Sequence, residues 1–266
     1  MVFRKVPAKG VQFRMGTPEN TTTEIPHRVT FTNDFYLSIY ETTKRQANII
    51  WSRSWNGNDY AGKDYTGVDA DFWMGPVTNV NMNTFRGSNT ISPATQGGTL
   101  PETTGNTGYL RRLAEKTGAE IDLPTEAQWE YACRAGSDEK YYWGSNAADD
   151  LGDYAWYSGN SEGTSHIVGL KKPNAWGLYD MYGNVGERCA DYYYKGSDYS
   201  NGSDVIEPYG TIKGNETSST KRVIRGGTFS LDGTDCRSAW RVDYWPNEPG
   251  GAYGYRLWMR PKAYVK

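Results

Sequence analysis

Cysteine and histidine are the residue types that could perform redox, nucleophilic or transition-metal chemistry, and both are rare in this chain. There are three cysteines, Cys133, Cys189 and Cys236, and two histidines, His27 and His166. No two cysteines form a Cys-X-X-Cys pair and their number is odd, so the sequence predicts buried thiols with at most one disulfide bond. Two histidines are too few for a histidine-rich metal centre.

Carboxylates that could bind a hard cation occur in one short run. Asp180 and Glu187 flank a turn that contains glycine and exposes backbone carbonyls. Calcium takes about six to eight oxygen ligands in flexible geometry, so this spacing is compatible with a calcium site. The alternative is that Asp180 caps a turn and Glu187 pairs with an arginine such as Arg188. Spacing alone favours this alternative.

The elements that must position these residues are short and joined by many loops. Tyr (21) and Trp (10) outnumber Phe (7), and Gly reaches 31 among 266 residues. Such a chain is too aromatic to be disordered and too rich in turn-forming residues to be a helical bundle. With 29 basic and 31 acidic residues, the formal net charge is −2, so nucleic-acid binding is not expected. No apolar run reaches about 18 residues, so no transmembrane helix is expected either.

Periodicity and capping residues predict three helices and several short strands. The third helix is the clearest, because Thr125 can cap it, Gln128 can complete a capping box, and Gly136 follows its aromatic run. The first two helices are expected over about residues 43–51 and 107–116. Strands are expected at 11–15, 28–31 and 35–39, and residues 222–225 and 253–259 have the alternation of central strands in a small sheet.

Four stretches carry a family resemblance, in order along the chain. The first runs from Phe13 to the YETT run at 40–43, and the second is DLPTEAQWEYA at 122–132. The third is PNAWGLYDMYGNVGE at 173–187, and the last combines RVIRGGT at 222–228, CRSAWR at 236–241 and GYRL at 254–257. Together they resemble the formylglycine-generating enzyme (sulfatase-modifying factor) family. The resemblance implies an α+β, C-type lectin-like fold of the formylglycine-generating-enzyme subclass, loop-rich with small twisted sheets and about three helices. We expect one such domain over residues 1–266.

The resemblance also bears on cofactors, and it favours calcium over copper. Structural calcium is implied at four positions, two binding through side chains and two through carbonyls: Asp180, Gly183, Val185 and Glu187. The chain departs from the family close by, at Gly186 and Arg188, where tryptophan is usual.

Copper is not expected, because the thiolates that would bind it are missing. The enzymes of the resembled family bind copper through two cysteines placed a few residues apart after an Arg-Gly-Gly-Ser run, and thiolates are suitable ligands for that ion. Here the run from Arg225 to Thr228 is followed by one cysteine, Cys236. We therefore predict that the protein is not an enzyme. The alternative is a formylglycine-generating oxidase or another enzyme of the sulfatase-modifying factor family.

In the segment of about residues 225–258, fixed anchor residues alternate with a scatter of unrelated residue types, and no lysine lies between Lys221 and Lys262. It resembles the variable region of proteins diversified by diversity-generating retroelements, of the Treponema variable protein type. This implies a receptor-type protein with a diversified binding surface, and aromatic anchors among adaptable polar residues also serve antibodies in this way. The alternative is an ordinary polar loop with a fixed ligand. The predicted ligand-binding residues are Phe229, Ser230, Leu231, Asp232, Thr234, Asp235, Trp240, Val242, Asp243 and Tyr244.

The expected partner is a macromolecule, specifically a protein, and a monomer is favoured. The first residues lack the apolar core of a signal peptide, and the chain carries no lipid-anchor motif. The resemblance nevertheless implies a location at the cell surface or outside the cell.

Overall fold

The computed structural model describes residues 1–20, 22–51, 70–82, 85, 108–144, 150–193, 205–206 and 221–260. Within them are five helices and thirteen short strands, which confirms the predicted α+β class with small sheets. The helices are α1 (Lys44–Trp51), α2 (Ala70–Met74), α3 (Tyr109–Thr117), α4 (Glu126–Arg134) and α5 (Leu151–Tyr154). The strands are β1 (Phe3–Val6), β2 (Gln12–Met15), β3 (His27–Thr30), β4 (Phe35–Ser38), β5 (Ile121–Asp122), β6 (Ala155–Trp156), β7 (Tyr182–Gly183), β8 (Gly186–Tyr192), β9 (Val205–Ile206), β10 (Arg222–Arg225), β11 (Arg241–Tyr244), β12 (Tyr253–Gly254) and β13 (Trp258–Met259). The helices that the sequence did not predict, α2 and α5, are 5 and 4 residues long, too short to show a helical period.

The strands form four small sheets. Their orders are β1-β4-β13-β5, β11-β10-β8-β12, β2-β3-β9 and β6-β7. In the second sheet, β10 pairs antiparallel with β8 and with β11, and all four of its residues are buried. The edges of this sheet are β11 and β12.

Helix α4 is the helix that the sequence predicts after Thr125. The Thr125 hydroxyl accepts a hydrogen bond from Gln128 N at 3.2 Å, and Gln128 Oε1 accepts one from Thr125 N at 2.9 Å, so the capping box is confirmed. The helix ends at Ala135, which is in the left-handed conformation (φ 48°). Every residue of α4 is buried, its glutamates included, because the helix packs against β2, β8 and β10.

Apolar side chains form two clusters that meet near β13. The larger surrounds Trp129 beneath the sheet of β10, and the smaller surrounds Phe85 and Leu113. Leu257 and Trp258 are neighbours in sequence but belong to different clusters, so the two parts of the core are joined there. No helix in the described part of the chain is long and apolar enough to cross a membrane.

Candidate functional site

Five buried charged residues lie beneath the predicted binding region, and we call them the ionic framework: Glu126, Glu130, Arg134, Arg225 and Arg241. Arg225 Nη2 lies 2.8 Å from Glu126 Oε1 and 2.7 Å from Glu130 Oε2. Arg241 Nε donates to Glu126 at 2.6 Å, and Arg134 Nε donates to Glu130 at 2.8 Å. Burial raises the pKa of Glu130, but the charges of Arg134 and Arg225 outweigh it and the pKa is lowered overall. The framework therefore fixes α4 to β10 and β11.

Two glycines turn the chain out of β10 above this framework. Gly226 and Gly227 have φ values of 96° and 74°, in the left-handed region that favours glycine. A Cβ atom on Gly227 would lie 2.7 Å from Cys236 Sγ and 2.9 Å from Asp235 O. The turn therefore packs its backbone directly against the end of the loop that follows.

That loop begins with residues 229–235, which we call the display segment. Its main chain is held by hydrogen bonds from the neighbouring loop. Ser161 Oγ donates to Phe229 O at 2.7 Å, and Ser158 N donates to Leu231 O at 2.9 Å. The path of the segment therefore depends on backbone atoms, which are the same for any residue type.

The side chains of the display segment face outwards to different degrees. Ser230, Asp232 and Thr234 are exposed, and Phe229, Leu231 and Asp235 are half-buried. Asp232 Oδ1 accepts from the backbone N of Thr234 at 2.9 Å and so caps a short 3₁₀ turn at Gly233–Asp235. The predicted exposure therefore holds for three of these six positions and only partly for the other three, and the role of all six in binding stays a prediction.

The other predicted contact residues lie elsewhere. Val242, Asp243 and Tyr244 are half-buried in β11, and Tyr244 lies opposite Arg222 at the far end of the strand pair. A strand rises about 3.3 Å per residue, so Tyr244 is roughly 10 Å along the sheet from the framework. These three residues and Trp245 form what we call the β11 patch. The predicted single surface is therefore divided between the display segment and the β11 patch.

The prediction for Trp240 was wrong. The residue was expected to be an exposed anchor, but it is buried, with 9% of its surface exposed. It directly precedes β11, and its carbonyl accepts from Arg225 Nη1 at 3.2 Å, which holds it inside, next to the framework. Trp245, which the sequence analysis did not select, is 41% exposed instead.

A cleft that the sequence analysis missed borders the display segment. It has a volume of about 350 Å³ and is lined by charged residues that include Arg14, Lys140 and Arg237. Arg237 donates to both oxygens of Glu24, at 2.7 and 2.9 Å, and to the carbonyl of Thr234 at 2.7 Å. Arg237 thus connects the wall of the cleft to the display segment beside it in sequence and to Glu24, which is 213 residues away, a distance that no local pattern bridges.

The predicted calcium ligands include a carboxylate that is already paired. Glu187 Oε1 and Oε2 accept from Arg256 at 2.5 and 2.6 Å, and Oε2 also accepts from Trp129 Nε1 at 2.6 Å. Burial raises the pKa of Asp180 to about 6. Within the described residues no group of three or more His, Cys, Asp or Glu side chains could hold a metal ion. In this arrangement Glu187 pairs with Arg256, whereas Asp180 Oδ1 is buried without a hydrogen-bond partner among the described residues. Calcium stays a prediction for the four positions Asp180, Gly183, Val185 and Glu187.

Hydrogen bonds hold the loop that precedes the predicted calcium positions, at about residues 157–176. Gly169 N donates to Asp180 Oδ2 at 2.7 Å, and His166 N donates to Asn184 Oδ1 at 2.9 Å. Asn184 in turn donates to Glu41 at 2.6 Å, whose pKa is raised by burial and by the charge of Asp180. The loop is therefore anchored through protein side chains.

All three cysteines are free and buried, as the sequence predicts. Burial raises the pKa of Cys133 and of Cys236 to about 12, and it raises that of Cys189 well above its usual range. The thiolate is the form that attacks electrophiles and binds metals. These thiols are therefore protonated at neutral pH and enclosed by protein.

Comparison with known proteins gives one family and several structural neighbours. The model of the "Sulfatase-modifying factor enzyme 1-like domain" matches residues 4–261. The formylglycine-generating enzyme of Streptomyces coelicolor is 30% identical over 148 residues, which are 50% of this chain and 45% of that protein. The chain spans about half the length of the curated relatives it matches first.

Two solved structures cover nearly the whole chain. Variable protein 1 of Treponema denticola has a TM-score of 0.68 at 24% identity and covers 98% of this chain and 100% of its own. PvdO from Pseudomonas aeruginosa has a TM-score of 0.73 at 25% identity and covers 97% of this chain and 94% of its own. Both share the fold described above.

Proposed function

The chain belongs to the sulfatase-modifying factor enzyme 1-like family, and we propose that within it this protein is a non-enzymatic, receptor-type protein that binds a macromolecular ligand through its C-terminal surface. One observation carries the proposal. The display segment is held in place by its main chain while its polar side chains face solvent. A surface of this kind can change its side chains without losing its shape, which is what a diversified binding surface needs.

The thiols support the non-enzymatic part of the proposal. Two thiolates would be needed for the copper site of a formylglycine-generating oxidase, yet the one cysteine of this loop, Cys236, is packed against Gly227 and buried. Its raised pKa keeps it protonated, and Cys133 and Cys189 are equally enclosed. The burial of these thiols therefore supports a protein that does not form formylglycine through a copper site.

An enzymatic role is the second candidate, because the curated relatives include proteins named formylglycine-generating enzymes. Incubation of the purified protein with copper and a sulfatase-motif peptide separates the two. We expect no turnover and no thiol labelling by a disulfide reagent until the protein is unfolded. Aldehyde formation in the peptide would overturn the non-enzymatic proposal.

A displayed library tests the binding role directly. Leu231, Asp232, Thr234 and Asp235 are randomised together on the surface of yeast and selected against an unrelated folded protein. A control library randomises the same number of buried residues, Arg225, Gly226, Gly227 and Cys236. Most clones of the first library should resist protease, and selection from that library should yield binders. Most clones of the control library should be unfolded and therefore cleaved. Equal loss of folding in both libraries would contradict the proposal.

The diversified character has a genomic test. A near-identical copy of the codons for this segment, differing mainly at adenines and lying beside a reverse-transcriptase gene, is the expected finding. Without it, the surface would have one fixed ligand.

A further inference from the structure

Arg188 is a buried cation whose surroundings supply little compensation. It lies within β8, at the level of Ile224 on β10, and only 1% of its surface is exposed. Its Nη2 donates to the carbonyl of Glu248 at 3.1 Å. Within the described part of the chain, its Nε and Nη1 are buried without a hydrogen-bond partner. Buried arginines normally meet an acceptor, so unused donors on a buried guanidinium indicate a missing one.

Aromatic rings enclose this guanidinium. Its central carbon lies 5.0 Å from the centroid of the Tyr244 ring, and the Tyr244 and Tyr253 rings meet edge to face at 4.6 Å. Gly186 makes room for them, since a Cβ there would lie 2.8 Å from Tyr253 Cδ1. Burial lowers the pKa of Arg188 to about 10, so the group is still positively charged at neutral pH.

The position of Arg188 connects it to the binding surface. Tyr244 belongs to the β11 patch and is half-buried, and it covers the guanidinium on that side. The next residue, Trp245, is one of the exposed large apolar side chains of the protein. A ligand that contacts the β11 patch is therefore separated from the buried charge by one tyrosine ring.

We propose that Arg188 is the receptor for a carboxylate of the bound ligand, supplied by an acidic side chain or the chain terminus of a partner protein. The inference rests on the proposed binding function and names the chemistry of one contact. A carboxylate reaches the unused donors when the Tyr244 ring turns aside, and it forms charge-assisted hydrogen bonds there. A second cation borders the β11 patch, because Lys221 pairs with Asp243 and its Nζ lies 5.1 Å from the centroid of the Trp245 ring.

The first experiment uses acetate as the probe and the melting temperature as the readout. Sodium acetate and sodium chloride are compared at equal ionic strength for the wild-type protein, Arg188→Met and Arg260→Met. Arg260 pairs with Glu120 at 3.1 Å at a distant edge and serves as the matched control. Acetate should raise the melting temperature of wild type and Arg260→Met more than chloride does, and this difference should vanish in Arg188→Met. Binding of an oligoglutamate peptide should weaken about tenfold in Arg188→Met, the loss of one charge-assisted hydrogen bond.

Each outcome decides the matter. Arg188→Met is expected to fold, because methionine removes an uncompensated buried charge. Should it fail to fold, Tyr244→Ala uncovers the guanidinium and should enlarge the acetate effect. An equal response to acetate and chloride in wild type, an unchanged acetate effect in Arg188→Met, or a stronger response to phosphate than to acetate would overturn the inference. Because the probe does not involve the display segment, the library experiment and this one can fail separately.

Discussion

The ionic framework and the display segment are adjacent in space but are held in opposite ways. The framework is held together by ion pairs between side chains. Arg225 bridges Glu126 and Glu130 at 2.8 and 2.7 Å, and all three residues are buried. The display segment is held in place by hydrogen bonds to its main chain, such as that from Ser158 N to Leu231 O. Sequence is therefore constrained strongly in the first region and weakly in the second.

This contrast bears on which substitutions the folded domain can tolerate. The energetic cost of a substitution depends on whether the replaced side chain has partners in the folded state. Where partners are buried charges, one replacement leaves the others uncompensated. Where the partner is water, replacement changes little except what the surface can bind.

The largest expected effect comes from breaking the framework. Glu130→Gln keeps the shape of the side chain but leaves Arg134 and Arg225 with less negative charge, so the free energy of unfolding should fall by about 5 kcal/mol. Glu115→Gln is the matched control, because Glu115 forms an exposed pair with Arg111 and should cost about 0.5 kcal/mol or less. Urea unfolding measures both. Similar losses for the two variants would remove the distinction between framework and surface.

Asp191 is a buried carboxylate next to the framework, and its charge state gives a second test of the contrast between framework and display segment. Burial and the charge of Glu126 raise its pKa to about 7. The folded state thus binds the Asp191 proton more tightly than the unfolded chain does, so this group's contribution to stability is lost as pH rises from about 4 to about 7. Asp191→Asn keeps an acceptor for Glu126 N, which Asp191 Oδ2 now contacts at 2.6 Å. Its stability relative to wild type should rise by roughly 4 kcal/mol at most over that pH range. Unfolding curves at several pH values test this, and a pH-independent difference would contradict it.

The turn between the two regions should show an intermediate effect. Gly227→Ala places a methyl group 2.7 Å from Cys236 Sγ at a φ of +74°, and we expect a loss of about 3 kcal/mol. Gly163→Ala is a control with the same φ of +74° and no atom within 4 Å of the new Cβ, so it measures the backbone cost alone, about 1 kcal/mol. Equal melting temperatures for the two variants would show that the packing on Cys236 is not tight.

The smallest effects belong to the display segment. Thr234→Ala and Leu231→Ser should each change the free energy of unfolding by about 0.5 kcal/mol or less, because Thr234 is exposed and Leu231 is held by its carbonyl. Thr228→Ala offers a buried comparison just outside the segment, with 1% of Thr228 exposed. Thermal melts suffice for all three. If Thr234→Ala lowered the free energy of unfolding by several kcal/mol, the Thr234 side chain would be as constrained as those of the framework, which contradicts this prediction.

Local signals were predictable from sequence and distant pairings were not. The capping box of α4 and the strand Arg222–Arg225 were predicted because their determinants lie within a few residues. The pairs of Arg225 with Glu130 and of Arg241 with Glu126 span 95 and 115 residues, and no periodicity encodes them. Trp240 was wrongly expected to be exposed for a related reason, since the irregular backbone between the glycine turn and β11 has no periodicity that shows whether its side chain points inwards.

The place of β13 in its sheet has a consequence for how the chain folds as it is made. β13 lies between β4 and β5, and Leu257 N donates to Ser38 Oγ across 219 residues. During synthesis, β4 therefore emerges with one edge unpaired and waits for nearly the whole of the described chain before that edge is covered. Closing so long a loop is slow, and an open strand edge invites pairing with other chains in the meantime. Because the display segment is translated before β13, a sequence there that pairs readily with strand edges would prolong the interval in which the edge of β4 is exposed.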